Sequence, residues 1–167
     1  MTFDDFEGFS GLVLDNDWRL LDQKVVLRIP NSKHEVSQYH GRMSTIPLDR
    51  WQLRNCFVVE AKPKWKGHPF SRRILFIDEQ TYSVALSLIF DQSDKLFKVI
   101  NVVYGRGGSK GKNLLGDSVP NFRSTNVINL RDDIASLGGV TGETDYPQLK
   151  VSEVRKLFSV SSLTSGR

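Results

Sequence analysis

The chain of 167 residues contains one cysteine, Cys56, and three histidines, His34, His40 and His68. A single cysteine excludes an internal disulfide and a zinc site built from several thiolates. The histidines fall in segments predicted to be loops, at spacings that do not match those of a metal site. The sequence therefore predicts a protein without a bound metal or cofactor.

Long apolar runs are also missing. No run reaches about 18 apolar residues, the length that spans a bilayer as a helix. The opening segment MTFDDFEGFSGLVLDNDW contains no lysine or arginine, whereas an export signal starts with basic residues that precede an apolar core. No export signal is therefore expected within the chain as written.

The composition is that of an ordinary globular domain, with 39% hydrophobic residues, 25% charged residues and a net charge of +4. The mild basic excess suits an anionic partner but does not require one. At this length we expect a single domain over residues 1–167. Residues 1–17 are predicted to be an irregular lead-in, and residues 105–123 a flexible glycine-rich loop.

Alternating apolar residues predict a series of β-strands. The predicted strands are KVVLRI (24–29), LDRWQLRNCFVVEAK (48–62), RRILFID (72–78), YSVALSLIFD (82–91), LFKVINVVYG (96–105) and STNVINLRDD (124–133). Short turns separate most of them, which favours an antiparallel meander. The polar segment 31–47 is predicted to be a long loop, and LKVSEVRKLFSV (149–160) a short helix. The expected fold class is mostly β, with one or two short helices.

Both faces of these strands carry apolar residues. In the strand 82–91, Leu86 and Leu88 alternate with Ala85 and Ile89. An antiparallel sheet usually exposes one face to water. We therefore expect helices, another chain or a ligand to cover the second face.

Asp78 and Glu79 stand between two apolar runs, where a catalytic pair is one interpretation. Neighbouring residues in a strand point to opposite faces, whereas a general acid and base must converge on one reacting group. Acids at a strand end are ordinary turn residues. A turn is therefore favoured for both, and for Asp91 at the far end of the same hairpin. Because Glu60 ends one strand and Arg73 begins the next, we expect a salt bridge between them.

Other catalytic patterns are incomplete. The segment GRGGSKGKN (105–113) has Arg106 where a phosphate-binding loop needs glycine and Asn113 where it needs serine or threonine. No serine lies in a G-x-S-x-G nucleophile motif. The sequence predicts no catalytic residue, and hence a protein that is not an enzyme.

The segment KPKWKGHPFSRR (62–73) contains five basic residues and no acid, interleaved with Trp65, His68 and Phe70. Such a segment is able to stack bases and contact phosphates, or to contact anionic lipid headgroups. Lysines also keep an exposed hairpin soluble, and a solvated loop is the favoured interpretation. Nucleic-acid binding is the weaker alternative.

The segment CFVVEAKPKWKGHPFSRRILFIDEQTYSVALSLIFDQSDKLFKV (56–99) resembles the bacterial family DUF1329. The residues that match its pattern are Val58, Val59, Glu60, Ala61, Arg73, Phe76, Ile77, Asp78, Glu79, Thr81, Asp91 and Leu96. The segments 6–30 and 147–163 also resemble that family, so the resemblance covers nearly the whole chain. The departures from its pattern are Leu75, Gln80, Tyr82, Phe97 and Lys98, and they bear on ligand preference rather than on the fold.

The resemblance implies a LolA/LolB-like fold, which is a strongly curved antiparallel half-barrel with helices on its concave side. It implies that the chain corresponds to the C-terminal half of longer exported proteins. It also implies a periplasmic binder or carrier of a hydrophobic, acyl-chain molecule, accessory to envelope lipoprotein or RND-type transport. No catalytic residues come with it, and Glu60, Arg73, Asp78 and Asp91 are expected to have structural roles.

If the concave face carries the larger side chains, the ligand is expected to contact Trp51, Phe57, Tyr82, Leu86, Leu88 and Phe90. Three alternatives stay open. These residues could simply form the core. The chain could be a truncated structural domain or a homo-oligomer without a ligand. The basic segment could bind nucleic acid or another anionic surface.

Overall fold

The computed structural model describes residues 8–9, 13–34, 36–105 and 120–139, together with Lys150, Ser152 and Arg155. Its strands are β1 (Asn16–Arg28), β2 (Tyr39–His40), β3 (Ile46–Pro47), β4 (Gln52–Pro63), β5 (Arg72–Asp78), β6 (Val84–Phe90), β7 (Leu96–Gly105), β8 (Asn121–Asn129) and β9 (Ile134–Gly139). Seven strands form one antiparallel sheet in the order β1-β4-β5-β6-β7-β8-β9, and β2 pairs with β3. Because β1 and β9 are its two edges, the sheet is open.

The predicted antiparallel meander is confirmed, with corrected strand bounds. A 3-10 turn at Val13–Asp15 leads into β1, which begins at Asn16, inside the predicted lead-in and well before the predicted strand 24–29. Most of β1 is exposed, so its residues do not follow the alternation of a half-buried strand. The predicted strand 124–133 is in fact β8 followed by a turn. The sequence missed β9, whose two terminal glycines weaken the strand signal.

Four β-bulges interrupt the pairing of the main sheet. They lie between Leu20 and Asp22, at Phe76/Ile77, at Ile89/Phe90 and at Val103/Tyr104. A bulge bends its strand and increases the local twist. The bulges therefore curl an open sheet, in agreement with the curved fold that the resemblance implies.

Cross-strand pairing defines the two faces of the sheet. We call one side of the sheet the core face, and it carries the cross-strand row Ala61, Arg73 and Ile89. We call the other side the second face, and it carries the row Glu60, Ile74 and Leu88. The hydrophobic core runs along the core face. Its members are Phe70, Ile89, Ile100, Val102, Tyr104 and Val127, with Phe97 and Phe122 packed against them.

The segment predicted as a long loop covers part of the second face. It contains β2, β3 and a 3-10 turn at Arg42–Ser44. Tyr39 Oη lies 2.7 Å from Ser124 Oγ in β8, and Asn126 Nδ2 donates to the carbonyl oxygen of Ser44 at 3.2 Å. The chain therefore supplies some of the cover that the two-sided apolar strands require.

Two predicted features lie largely outside the described residues. Ser152 and Arg155 are helical and exposed, whereas the rest of the predicted helix 149–160 is not described, apart from Lys150. The predicted loop 105–123 is shorter than expected, because Gly105 belongs to β7 and β8 begins at Asn121, and residues 106–119 between them are not described. Within the described part of the chain, no helix is long and apolar enough to cross a membrane.

Candidate ligand-binding site

A cavity of about 530 Å³ lies on the core face, beside the connection between β4 and β5. Its lining residues are Phe9, Leu14, Asp15, Asn16, Ala61, Pro63, Lys64, Trp65, His68, Phe70 and Arg73. Small-molecule pockets have volumes of roughly 300–1,000 Å³. The cavity is therefore large enough for a ligand.

Strand pairing builds the floor of the cavity. Asn16 lies opposite Pro63 and Arg73 lies opposite Ala61, which places all four on the core face. The buried guanidinium of Arg73 lies 4.8 Å from the centre of the Phe70 ring. A cation over an aromatic face is attracted to the ring quadrupole. The floor thus combines apolar surface with a fixed positive charge.

The connection between β4 and β5 forms an aromatic wall. The Trp65 and His68 rings meet edge to face at 5.6 Å, and the His68 and Phe70 rings at 4.0 Å. The Lys64 amide donates to the Asp15 carbonyl oxygen at 2.9 Å. This bond fixes the wall against the turn that precedes β1.

Residues 8 and 9 cross over the core face. Gly8 has φ +79°, and a Cβ added there would lie 3.1 Å from Ser87 Cβ. Arg73 Nη1 donates to the Gly8 carbonyl oxygen, and the Phe9 ring meets the Trp18 ring edge to face at 5.0 Å. A glycine is required here, because its positive φ and its close approach to β6 both disfavour a side chain.

The described lining combines aromatic and aliphatic side chains with polar and charged ones. Among the described lining residues, Asp15 is the only carboxylate. Among the described residues, no cluster of histidine, cysteine, aspartate or glutamate is suited to hold a metal ion. Aromatic and aliphatic walls with a few polar groups are typical of pockets for apolar or amphipathic ligands.

The structure does not bring the six predicted ligand residues together. Phe57 lies on the core face, since it pairs with Ile77, whereas Leu86 pairs with Phe76 on the second face. Leu88 and Phe90 share the second face with Leu86, and Trp51 precedes β4. Tyr82 is 75% exposed, in the turn before β6, with φ 54°. None of the six lines the cavity.

The sequence did contain a signal for the cavity, in the segment predicted to be a solvated loop. Trp65, His68 and Phe70 of that segment supply the aromatic wall. Four of its five cations contact acids or the backbone. Lys62 lies 3.6 Å from Glu60, Lys64 3.7 Å from Asp17, Arg72 2.6 Å from Asp94, and Arg73 donates to Gly8. These contacts reduce the positive charge that the segment presents to an anion.

Asp78 stabilises a turn, as predicted, and it also contacts two arginines. Its carboxylate accepts two hydrogen bonds from Arg54, at 2.8 and 3.1 Å, and lies 3.3 Å from Arg28 Nη1. The amides of Gln80 and Thr81 donate to Oδ1 at 2.9 and 3.1 Å, which caps the turn. The turn prediction is therefore confirmed. The sequence did not predict that Asp78 would be buried with two arginines.

These contacts lower the pKa of Asp78. Burial by itself would raise that pKa, but the hydrogen bonds from Arg54 and from the Gln80 and Thr81 amides, with the charge of Arg28, lower it to about 2. An ordinary aspartate titrates near 3.9. Asp78 is therefore ionised at every pH at which its unfolded counterpart is ionised.

The lowered pKa predicts acid sensitivity. Since the folded-state pKa lies below the unfolded-state pKa, the contribution of Asp78 is complete above about pH 5 and is lost as the pH falls from about 4 towards 2, at a cost of about 2 kcal/mol. Urea unfolding from pH 7 to pH 2, in the native chain and in D78N, measures this contribution of Asp78 to the free energy of unfolding. The difference in unfolding free energy between the two chains should shrink below pH 4, and a constant difference would contradict the assignment.

The expected salt bridge between Glu60 and Arg73 is wrong. Glu60 pairs across the ladder with Ile74, and Arg73 pairs with Ala61, so the two side chains point to opposite faces. The buried Glu60 instead lies 3.8 Å from Arg72 and 3.4 Å from Arg19. The strand pairing behind the prediction was right, but the register differs by one residue, which exchanges the faces.

Asp91 occupies a turn, as predicted. Its Oδ1 accepts the amides of Ser93 and Lys95 at 2.9 and 3.0 Å, and its Oδ2 accepts Arg131 Nη2 at 2.7 Å. These hydrogen bonds lower the pKa of Asp91, and the bond from the Lys95 amide has the largest effect. Asp91 therefore links the β6–β7 turn to the β8–β9 turn.

Three solved structures resemble this chain. One is a domain described as an outer-membrane lipoprotein-sorting protein from Vibrio parahaemolyticus, with 13% identity and a TM-score of 0.47 over 78% of this chain and 45% of that chain. A DUF1329 family protein from Desulfovibrio piger has 16% identity and a TM-score of 0.45 over 89% and 47%. A LolA superfamily protein from Nitrosomonas europaea has 14% identity and a TM-score of 0.48 over 91% and 51%. The chain spans about half the length of these structures.

The match to a family model is stronger evidence for the family of this chain than these structural similarities are. No curated protein matches the chain. The family described as "Protein of unknown function (DUF1329)" matches residues 1–164, which is nearly the whole length. The chain belongs to the DUF1329 family.

Proposed function

We propose that this protein is a non-enzymatic binder or carrier of an amphipathic molecule with an apolar chain, which it holds in the cavity on the core face. The observation that carries the proposal is the cavity itself. Its walls are formed by Phe9, Leu14, Trp65 and Phe70, which offer apolar surface to a ligand. The buried Arg73 lies in the floor of the site, with its guanidinium beside the Phe70 ring.

The cellular setting is part of the same proposal. The family resemblance of the sequence implies exported proteins that act in the bacterial periplasm beside envelope transporters. A carrier that holds its ligand by burial gains roughly 25 cal/mol for each Å² of apolar surface removed from water. Such binding is reversible and requires no cofactor, which suits transfer from one envelope component to another.

Nucleic-acid binding is less well supported. A nucleic-acid site needs cations that are free to replace the counterions of the phosphates. In the segment 62–73, Lys62, Lys64 and Arg72 lie within 4 Å of carboxylates, and Arg73 is buried. The aromatic residues of this segment contact one another rather than forming an open stacking platform.

Native mass spectrometry with palmitate as the probe tests the proposal. We expect one molecule of palmitate per protein. W65A should weaken binding about tenfold, because truncation of a well-placed aromatic contact commonly costs more than 1 kcal/mol. Trp65 is 66% exposed, so its truncation should leave the fold intact.

The matched control is Y82A. Tyr82 is 75% exposed and lies outside the cavity, so Y82A should bind palmitate like the native chain. Equal weakening by both variants would indicate non-specific adsorption. A folded protein that binds neither palmitate nor an extracted lipid would refute the proposal.

A further inference from the structure

Two apolar side chains at the mouth of the cavity are largely exposed to water. Leu14 and Trp65 both line the cavity, yet Leu14 is 86% exposed and Trp65 is 66% exposed. A side chain that lines a cavity and is also exposed belongs to its rim. Val13, next to Leu14, is 56% exposed, and Lys66, next to Trp65, is exposed as well. We call these four residues the tip.

Hydrogen bonds hold the two parts of the tip together. Lys64 donates from its amide to the Asp15 carbonyl oxygen at 2.9 Å and from Nζ to the Leu14 carbonyl oxygen at 3.0 Å. Trp18 Nε1 donates to the Val13 carbonyl oxygen at 2.7 Å. These bonds tie the turn before β1 to the connection between β4 and β5. The tip therefore presents its apolar side chains on backbone that is already fixed, which reduces the cost of ordering it on binding.

The side chains of the tip are of the types that occur where a membrane meets water. Tryptophan combines an apolar ring with a polar N–H, and it is enriched at membrane interfaces. Lysine lays its apolar stem along apolar surface and keeps its ammonium in water. The aliphatic side chains of Val13 and Leu14 are able to reach below the headgroups, as the apolar residues of interfacial segments do. The tip therefore matches the interfacial layer of a bilayer.

The charges around the tip permit an approach to lipid phosphates. The Asp17 carboxylate lies 3.7 Å from Lys64, which neutralises it. Within the described part of the chain, Lys66 forms no ion pair, so its ammonium is available to a phosphate. One lysine near an anionic membrane surface strengthens binding about fivefold. Asp15, in the same turn as Leu14, offsets part of this attraction, so the apolar side chains have to supply most of the binding.

A bilayer fits the tip better than a protein partner does. The exposed parts of three apolar side chains of this size amount to roughly 400 Å². A specific protein interface buries about 800 Å² on each partner, twice that area. A bilayer requires no complementary shape, and shallow insertion of a few side chains is sufficient. The position at the cavity mouth agrees with a bilayer, since an amphiphile with an apolar chain resides there.

We infer that the tip inserts into the interfacial layer of a phospholipid bilayer and so places the mouth of the cavity against the membrane. The purpose of this docking rests on the proposed function, whereas the docking itself depends only on the tip. A ligand then passes between the bilayer and the cavity along Leu14 and Trp65, and its apolar chain does not have to cross water.

Flotation with phosphatidylcholine vesicles, with and without phosphatidylglycerol, tests the inference. We expect the native chain to bind both kinds of vesicle. V13E should bind about tenfold more weakly, because a charge replaces apolar surface in the tip. K66E should remove the gain that phosphatidylglycerol gives the native chain. Neither Val13 nor Lys66 lines the cavity, so both variants should bind palmitate like the native chain.

V25E is the matched control. Val25 is 60% exposed, similar to Val13, and pairs with Asn55 within β1, outside the tip. V25E should bind vesicles like the native chain, and urea unfolding verifies that both valine variants keep the fold. Equal weakening by V13E and V25E, or a native chain that binds no vesicle, would overturn the inference, and retained palmitate binding would then leave the cavity proposal standing. Vesicle binding without palmitate binding would support the docking and refute the cavity proposal.

Two further results would also overturn the inference. Binding that requires phosphatidylglycerol, is abolished by K66E and is unaffected by V13E would indicate adsorption to a charged surface rather than insertion of the tip. A native dimer that V13E dissociates, measured by sedimentation without vesicles, would show that a partner protomer covers the tip.

Discussion

D78N should lower the free energy of unfolding by about 3–5 kcal/mol, because removal of one partner of a buried ion pair leaves the other charge uncompensated. Asp78 and Arg28 are both fully buried, and Arg54 donates two hydrogen bonds to the same carboxylate. Asparagine keeps the shape of the side chain but removes its charge. Urea unfolding at pH 7, monitored by tryptophan fluorescence, measures the loss.

D94N is the control for this substitution. Asp94 also accepts two hydrogen bonds from one arginine, Arg72, at 2.6 and 3.2 Å. Asp94 is largely exposed, however, and exposed ion pairs contribute about 0–1 kcal/mol. A loss in D94N as large as that in D78N would mean that geometry, rather than burial, determines the contribution of these pairs.

The sequence located Asp78 in a turn but did not reveal its partners. Adjacent acids point to opposite faces, and this rule correctly separates the buried Asp78 from the exposed Glu79. Arg54 and Arg28 approach from β4 and β1. Their positions depend on the pairings Cys56–Asp78 and Arg28–Gln52. Such a cluster is set by register between strands, which the residue pattern alone does not specify.

The sequence also did not identify the face that is buried. In β6 the larger side chains, Leu86 and Leu88, suggested the ligand face, yet Ala85, Ser87 and Ile89 are the buried residues. Gly8 packs against Ser87, and small residues allow this close approach. The location of the cavity was equally hidden, because it requires Phe9 and residues 14–16 to pack against the connection between β4 and β5.

The two faces of β6 predict a large difference between neighbouring substitutions. Ile89 is completely buried and belongs to the hydrophobic core. I89A removes side-chain volume that the surrounding Ile100 and Phe70 cannot fill without moving, so it should lower the free energy of unfolding by about 2–4 kcal/mol. Urea unfolding measures this loss, and the unchanged slope of the transition checks that the unfolded states are comparable.

L88A is the adjacent control on the second face. Leu88 is half-buried, between Ile74 and Val99 on the neighbouring strands. Water already reaches part of its side chain, so its truncation leaves a smaller cavity, and we expect a loss of about 1 kcal/mol, well below that of I89A. The reverse order would place the hydrophobic core on the second face. In that case the position of the cavity relative to the core would have to be reassigned, since it depends on the same assignment of faces.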